Sequence, residues 1–242
     1  MSVDVAVHEH HGFEPFAMAD PFPIYAELRR EEPVMFDERI GYYVVTRYDD
    51  IKATFANWEQ FSSENAQAPV RPAGEPAKRI MTEGGFTAYS GLSARVPPEH
   101  TRIRDVATKA FTPRRYKVLE PLIRENVDRL IDRMLAEGAP ADIVASLAWD
   151  VPTITILTLL GVPIDMIPQV KEWAGSRAAM TWGDLSDEDQ IPHAINLVEY
   201  WNYCQQLVSE AKANPGDDLV GDMVRLQAEG NEINDHEIAS FL

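Results

Sequence analysis

The stretch Pro97-Pro98-Glu99-His100-Thr101-Arg102-Ile103-Arg104 holds the side chains whose types and spacing best suit chemistry. Pro98 and Glu99 fit the first turn of a helix, where a missing N–H costs nothing and a carboxylate meets the positive end of the dipole. His100 and Arg104 then stand four residues apart on one face, and both donate hydrogen bonds. Such a pair at a helix N-terminus suits a ligand carrying two carboxylates, held by charge-assisted bonds. Spacing alone leaves a second reading open: a solvated face with an exposed histidine and arginine of little energetic consequence.

Other reactive residues fit no chemistry as well. His8, Glu9, His10 and His11 offer zinc or copper ligands, although a chain terminus is a poor scaffold for a metal. His236-Glu237 begins a zinc-protease motif, but Ser240 stands where the second histidine belongs. Ser176 lacks the flanking glycines of a strained nucleophile turn. Gly84-Gly85 is too short for a phosphate loop and reads as a hinge. Cys204, the single cysteine, cannot form an internal disulfide and reads as a packed thiol.

The elements that must position these residues are mostly helical after residue 98. Before it, Asp20-Pro21 opens a short helix that Pro33 ends. Residues 34–36 and 42–46 read as the strands of a hairpin, and 48–61 returns to helical spacing. From 62 to 98 proline and glycine accumulate and apolar residues lose their period, which predicts a long irregular loop. A helix over 115–134 carries its apolar face on Val118, Leu119, Leu122, Ile123, Val127, Leu130, Ile131 and Met134, with Glu125 and Arg129 as a flanking pair. Gly138 and Pro140 stop it. Residues 143–160 have little polar face and are expected to be buried. Ser186 and Asp189 open a helix whose Ala194, Leu197, Val198, Trp201, Cys204 and Val208 face inward. A further helix spans 218–228. Asn234 with Glu237 begins another, and Ile238, Phe241 and Leu242 have no following sequence to pack with. No repeat or linker interrupts the chain, so one domain is the expectation.

Composition narrows the functional classes. Lysine and arginine number 22 against 39 aspartate and glutamate, a formal charge of −17. That field disfavours nucleic acid and anionic membrane surfaces. No run reaches the length of a membrane span, and residues 1–18 lack the basic and apolar pattern of a secretory signal. A cytoplasmic location is the expectation that remains.

Residues 97–104, followed by Lys109-Ala110-Phe111-Thr112-Pro113-Arg114, resemble the C-helix signature of bacterial cytochromes P450. Val96 departs from the acidic residue usual before the double proline. Leu157-Thr158-Leu159-Leu160-Gly161-Val162-Pro163 is similar to the end of the family's E helix, and residues 234–242 to the opening of its I helix. The resemblance implies a mainly α haem domain with a small sheet, helices A to the start of I, of which residues 1–242 are the N-terminal part, truncated before the haem-ligand cysteine. In the family an Ala-Gly-x-x-Thr turn, a Glu-x-x-Arg pair and the cysteine segment come after the opening of the I helix, and none of them follows residues 234–242 here. Cys204 matches none of them, so no catalytic residue and no metal ligand is assigned in this chain.

The resemblance further implies that His100 and Arg104 bind the haem propionates. It implies a haem-thiolate monooxygenase that uses O₂ on a small or medium apolar substrate and draws electrons from a reductase. Phe86, Tyr89, Leu92, Met180, Thr181 and Trp182, the last three between two helices, are the apolar residues expected near substrate, with plain loop packing as the alternative. Residues 116–132 and 178–188 are most similar to the subfamily fused to a phthalate-dioxygenase-type reductase, which implies FMN and a [2Fe-2S] cluster if that reductase follows. Arg102 and Lys109, with Arg114, Arg115 and Lys117, form a basic cluster suited to an anionic electron donor or simply to solvent. The competing functional class is a helical binding module that keeps the anion site at His100 and Arg104 without redox chemistry.

Overall fold

Asp20, Pro21 and the alternating apolar residues after Pro33 shape the first unit. In the computed structural model, which describes residues 13–16, 18–87 and 91–242, α1 (Phe22–Glu31) starts where Asp20 accepts the Phe22 N–H at 3.2 Å. Strands β1 (Val34–Asp37) and β2 (Tyr42–Val45) pair antiparallel, with Val34 opposite Val45 and Asp37 opposite Tyr42. Asp37 is fully buried beneath their turn. Its carboxylate accepts the Arg39 backbone N–H at 2.9 Å and the Arg39 guanidinium at 2.6 Å. Gly41, at φ 67°, supplies the left-handed residue the turn requires. Leu28 and Met35 close a small core with Phe13.

Helix α2 (Tyr48–Ala56) stops earlier than residue 61. Asn57 is the C-cap, its N–H still donating to the Ala53 carbonyl at 3.1 Å, and its side-chain amide donates to the Gln60 side-chain oxygen at 2.7 Å in the turn that follows.

Residues 62–98 are not one continuous loop. Helix α3 (Glu75–Glu83) forms inside them, and a short 3₁₀ turn covers Leu92–Ala94. Pro76 falls in the first turn of α3, where it breaks no hydrogen bond. Gly84 and Gly85 end that helix, so the expected hinge is a helix stop, with Gly85 at φ 70°. Ala77 is buried against Met180, Ala194 and Leu197.

The longer helices follow the predicted spacing more closely. Helix α4 (Glu99–Ala110) buries Ile103, Val106, Ala107 and Ala110. Thr112 caps α5 (Pro113–Glu137) and Gly138, at φ 88°, ends it. On α5, Leu119 and Leu130 are buried while Val118 is exposed. The expected Glu125–Arg129 pair gives way to Glu120–Arg124 at 2.9 Å, and Arg129 donates to Asn126 at 3.0 Å.

Residues 143–160 divide into a π-helical turn at Val144–Ala148 and α6 (Asp150–Leu160). Leu157, Leu159 and Leu160 are buried, but Ile143, Val144, Trp149 and Ile156 are exposed, contrary to the expectation of burial all round. An apolar segment is buried only where another element covers it, and no described element covers that side.

Four helices complete the chain: α7 (Ile167–Trp182), α8 (Gln190–Ala213), α9 (Leu219–Ala228) and α10 (Asp235–Ala239). Met180, Thr181 and Trp182 form the last turn of α7 and do not lie between helices. Helix α8 is central and touches α3, α7, α9 and α10. Its Trp201, Cys204 and Val208 meet Val170 of α7, Met223 of α9, Ile103 of α4 and Ile238 of α10 in the main core. Asp218 caps α9 by accepting the Gly221 N–H at 2.7 Å. Asn234 and Glu237 form a reciprocal capping box. Ile238 is fully buried and Phe241 and Leu242 pack on the same core, so the C-terminal apolar residues do find partners, supplied by α8 and α9. Among the described residues no helix is long and apolar enough to cross a membrane.

Candidate functional site

Helix α4 is held by its apolar face, which fixes the direction of its flanks. The flank beside that face presents His100, half-buried, and Arg104, exposed, one turn apart. Neither side chain makes a hydrogen bond or ion pair within the described residues. Positioned but unpartnered donors at a helix N-terminus are suited to an anion with two widely set carboxylates.

His100 also lines a cleft of about 550 Å³ together with Phe55, Trp58, Phe61, Leu92 and Arg95. Phe55 is 86% exposed, so this wall presents aromatic surface that the described chain does not cover. Apolar walls beside a cationic edge match a flat, apolar macrocycle with acidic arms. The donor set and its surroundings therefore fit a porphyrin carrying two propionates.

Arg102, expected to face an anionic partner, turns inward instead. Its guanidinium donates to Glu237 at 2.6 and 3.1 Å and also reaches the Glu232 carbonyl. Burial, the largest single influence on Glu237, works against its charged form. The hydrogen bonds from Arg102 and Asn234, with the attraction of Arg102 and Arg95, outweigh it and lower the pKa. This ion pair ties α4 to α10, a structural role that sequence could not separate from a docking role. Lys109 remains exposed and donates to Asn231 at 2.7 Å, while Arg115 is engaged by Asp222 and Asp217.

A second cavity, about 230 Å³, lies between α3, the chain before it, α7 and α8. It brings together Phe86, Met180 and Thr181, three of the residues expected near substrate. The Val70 N–H bonds the Thr181 carbonyl at 2.9 Å and so fixes the loop against the end of α7. Leu92 instead belongs to the cleft beside His100, and Trp182 is 56% exposed and outside the lining. Tyr89 lies outside the described residues, as do His8, Glu9, His10 and His11.

Sequence reasoning missed Arg177 and Gln67, which line the same cavity. A helix read over α7 places Arg177 one turn before Met180 and Thr181, and that periodicity was the available signal.

Cys204 is 2% exposed and its thiol is pushed up to about 12, chiefly by burial, so it sits as a packed, protonated group. Ser176 is buried too. It accepts from Asn196 at 2.9 Å and lies 3.0 Å from His193, joining α7 to α8 with no adjoining cavity among those described. Within the described residues no cluster of three or more His, Cys, Asp or Glu side chains could hold a metal ion.

No protein-family model matches the chain. A solved structure described as cytochrome P450 CREJ in complex with (4-ethylphenyl) dihydrogen phosphate shares 67% sequence identity, with a TM-score of 0.92 over 96% of this chain and 58% of that one. An intact type IV self-sufficient cytochrome P450 monooxygenase shares 28%, with a TM-score of 0.86 over 96% of this chain and 31% of that one. Among curated proteins, the mycinamicin IV hydroxylase/epoxidase of Micromonospora griseorubida is 31% identical over 220 residues, 88% of this chain and 51% of the relative. The chain spans about half the length of the curated relatives it matches.

Proposed function

The chain belongs to the cytochrome P450 family, and from that premise we propose that it contributes the N-terminal part of a haem-dependent monooxygenase. The observation that carries this reading is the unpartnered His100 and Arg104 pair, one turn apart on one flank of α4. When haem is bound, the His100 imidazole and the Arg104 guanidinium would hold its two propionates by charge-assisted bonds. Bound haem supplies reductive activation of O₂ and insertion of one oxygen atom into a substrate C–H bond.

This chain's own part is binding and exclusion of water. Phe86, Met180 and Thr181 contribute a mostly apolar wall that holds the organic body of the substrate. Arg102 and Glu237 act by keeping α4 seated, so that His100 and Arg104 keep their direction. Electrons come from a reductase whose docking draws on Lys109, and from FMN and a [2Fe-2S] cluster where that reductase is fused to the same polypeptide.

The ligand of the 67%-identical structure, (4-ethylphenyl) dihydrogen phosphate, narrows the substrate class. We assign to this protein a small alkyl-aryl phosphate ester, which is amphiphilic where the composition of the expected pocket residues suggested an apolar molecule. The test is a reduced, CO-treated spectrum of the whole protein, followed by O₂-dependent turnover of 4-ethylphenyl phosphate. A band near roughly 450 nm and a product one oxygen atom heavier support the assignment. Absence of the band refutes the haem-thiolate reading, and a band without product refutes the substrate class.

A further inference from the structure

The cavity beside α7 is apolar on most sides, walled by Pro69, Ala73, Met81, Phe86, Met180 and Leu197. One cation enters it. Arg177 precedes Met180 and Thr181 by one turn of α7, so the three side chains share a face directed at the cavity. The residue is half-buried, and its guanidinium lies 3.4 Å from the Gln67 amide oxygen and close to the backbone at Gly91.

Arg177 stands in this mostly apolar setting with partners of its own, Gln67 among them. The same setting strengthens any bond it makes to an anion, since little water competes. Its planar fork matches two oxygens of a phosphate, a geometry that a lysine ammonium does not offer. Gln67 and Thr181 bring further polar groups to the same cavity, and the remaining walls suit an alkyl-aryl body.

We infer that Arg177 is the specificity-determining residue for the acidic head group of the substrate, gripping phosphate oxygens while Phe86, Met81 and Leu197 hold the hydrocarbon part. The inference rests on the monooxygenase reading and on the ester class proposed with it. In this arrangement affinity for a phosphate ester depends on the guanidinium, whereas affinity for the corresponding phenol depends only on the apolar walls.

Equilibrium dialysis of the whole, haem-loaded protein with 4-ethylphenyl phosphate and with 4-ethylphenol tests this, using wild type, R177Q and R177K. R177Q is expected to bind the phosphate ester about 10- to 100-fold more weakly while phenol binding stays within about twofold. R177K recovers part of the loss, because it keeps the charge without the fork. Equal affinity of wild type and R177Q for the ester overturns the inference. A parallel loss for both ligands does the same, since that is the signature of a merely structural arginine, and so does a wild type that does not prefer ester to phenol. A CO spectrum of the same samples reports on the haem reading separately, and dialysis decides on Arg177 whatever that spectrum shows.

Discussion

Replacing Glu237 by glutamine removes one negative charge from a position 5% exposed and leaves the shape almost unchanged. The amide oxygen can still accept from the Asn234 N–H, so the capping box is largely kept. What disappears is the charge that pairs Arg102 at 2.6 Å and Arg95 at 3.7 Å, whose side chains are only 25% and 17% exposed. Breaking a buried ion pair costs about 3–5 kcal/mol, and Arg102 keeps some water and the Glu232 carbonyl, which reduces the expected loss to about 2–3 kcal/mol. For a chain of this size that lowers Tm by about 5–10 °C.

Urea unfolding followed by tryptophan fluorescence measures the loss. A double variant, R102M/E237M, is expected to be less destabilised than the sum of its single variants, because it leaves no uncompensated charge. The pH dependence has a definite sign. The folded pKa of Glu237 is lowered from 4.5, so its contribution is present above that value and fades as pH falls below 4.5 through the folded pKa. A loss in E237Q smaller than about 0.5 kcal/mol, with unchanged acid sensitivity, refutes the view that this pair ties α4 to α10.

Three further outcomes follow from packing and charge. A Cβ at Gly84 would lie 2.4 Å from a Val198 methyl, so G84A is expected to cost about 1–3 kcal/mol by forcing α3 away from α8, as read by thermal unfolding. Cys204 resists thiol reagents in the native protein at pH 8, because burial holds the thiol up to about 12, and it reacts once urea exposes it. K109E slows reduction by an anionic electron donor at low ionic strength and has little effect at high salt, and a salt-independent rate removes Lys109 from the docking face.

The parts of the fold legible in sequence were those with several turns of one period. Helices α5, α8 and α9 carry apolar stripes, α5 and α9 also have side-chain caps, and the β-branched run around Val44 specified the hairpin. The Ser186–Asp189 pair expected to cap α8 instead closes the turn before it, and the helix begins at Gln190 without a side-chain cap. Helix α3 was hidden because it is short and begins and ends with proline and glycine, residues that punctuate loops as readily as helix ends. The exposed side of 143–160 was hidden for a different reason: hydrophobicity reveals a face that wants a partner and not whether one is present.

At the site, four-residue spacing placed His100 and Arg104 on one face of α4. Spacing also put Arg102 on the same helix without revealing that it turns toward Glu237, 135 positions later in the chain. Arg177 escaped notice because a charged residue in a helix is usually read as solvated surface. Its meaning appears only when the walls of the cavity are assembled from α3, α7 and α8.

The central claim is that the imidazole of His100 and the guanidinium of Arg104 hold the acidic arms of haem. Transfer of haem from the whole protein to an excess of a haem-scavenging globin measures that grip directly. With two charge-assisted contacts removed, H100A/R104A is expected to lose haem at least about 100-fold faster than wild type, each contact contributing about 1.5–3 kcal/mol. R104K should recover only part of the lost grip. A double variant that keeps its haem at the wild-type rate contradicts the account.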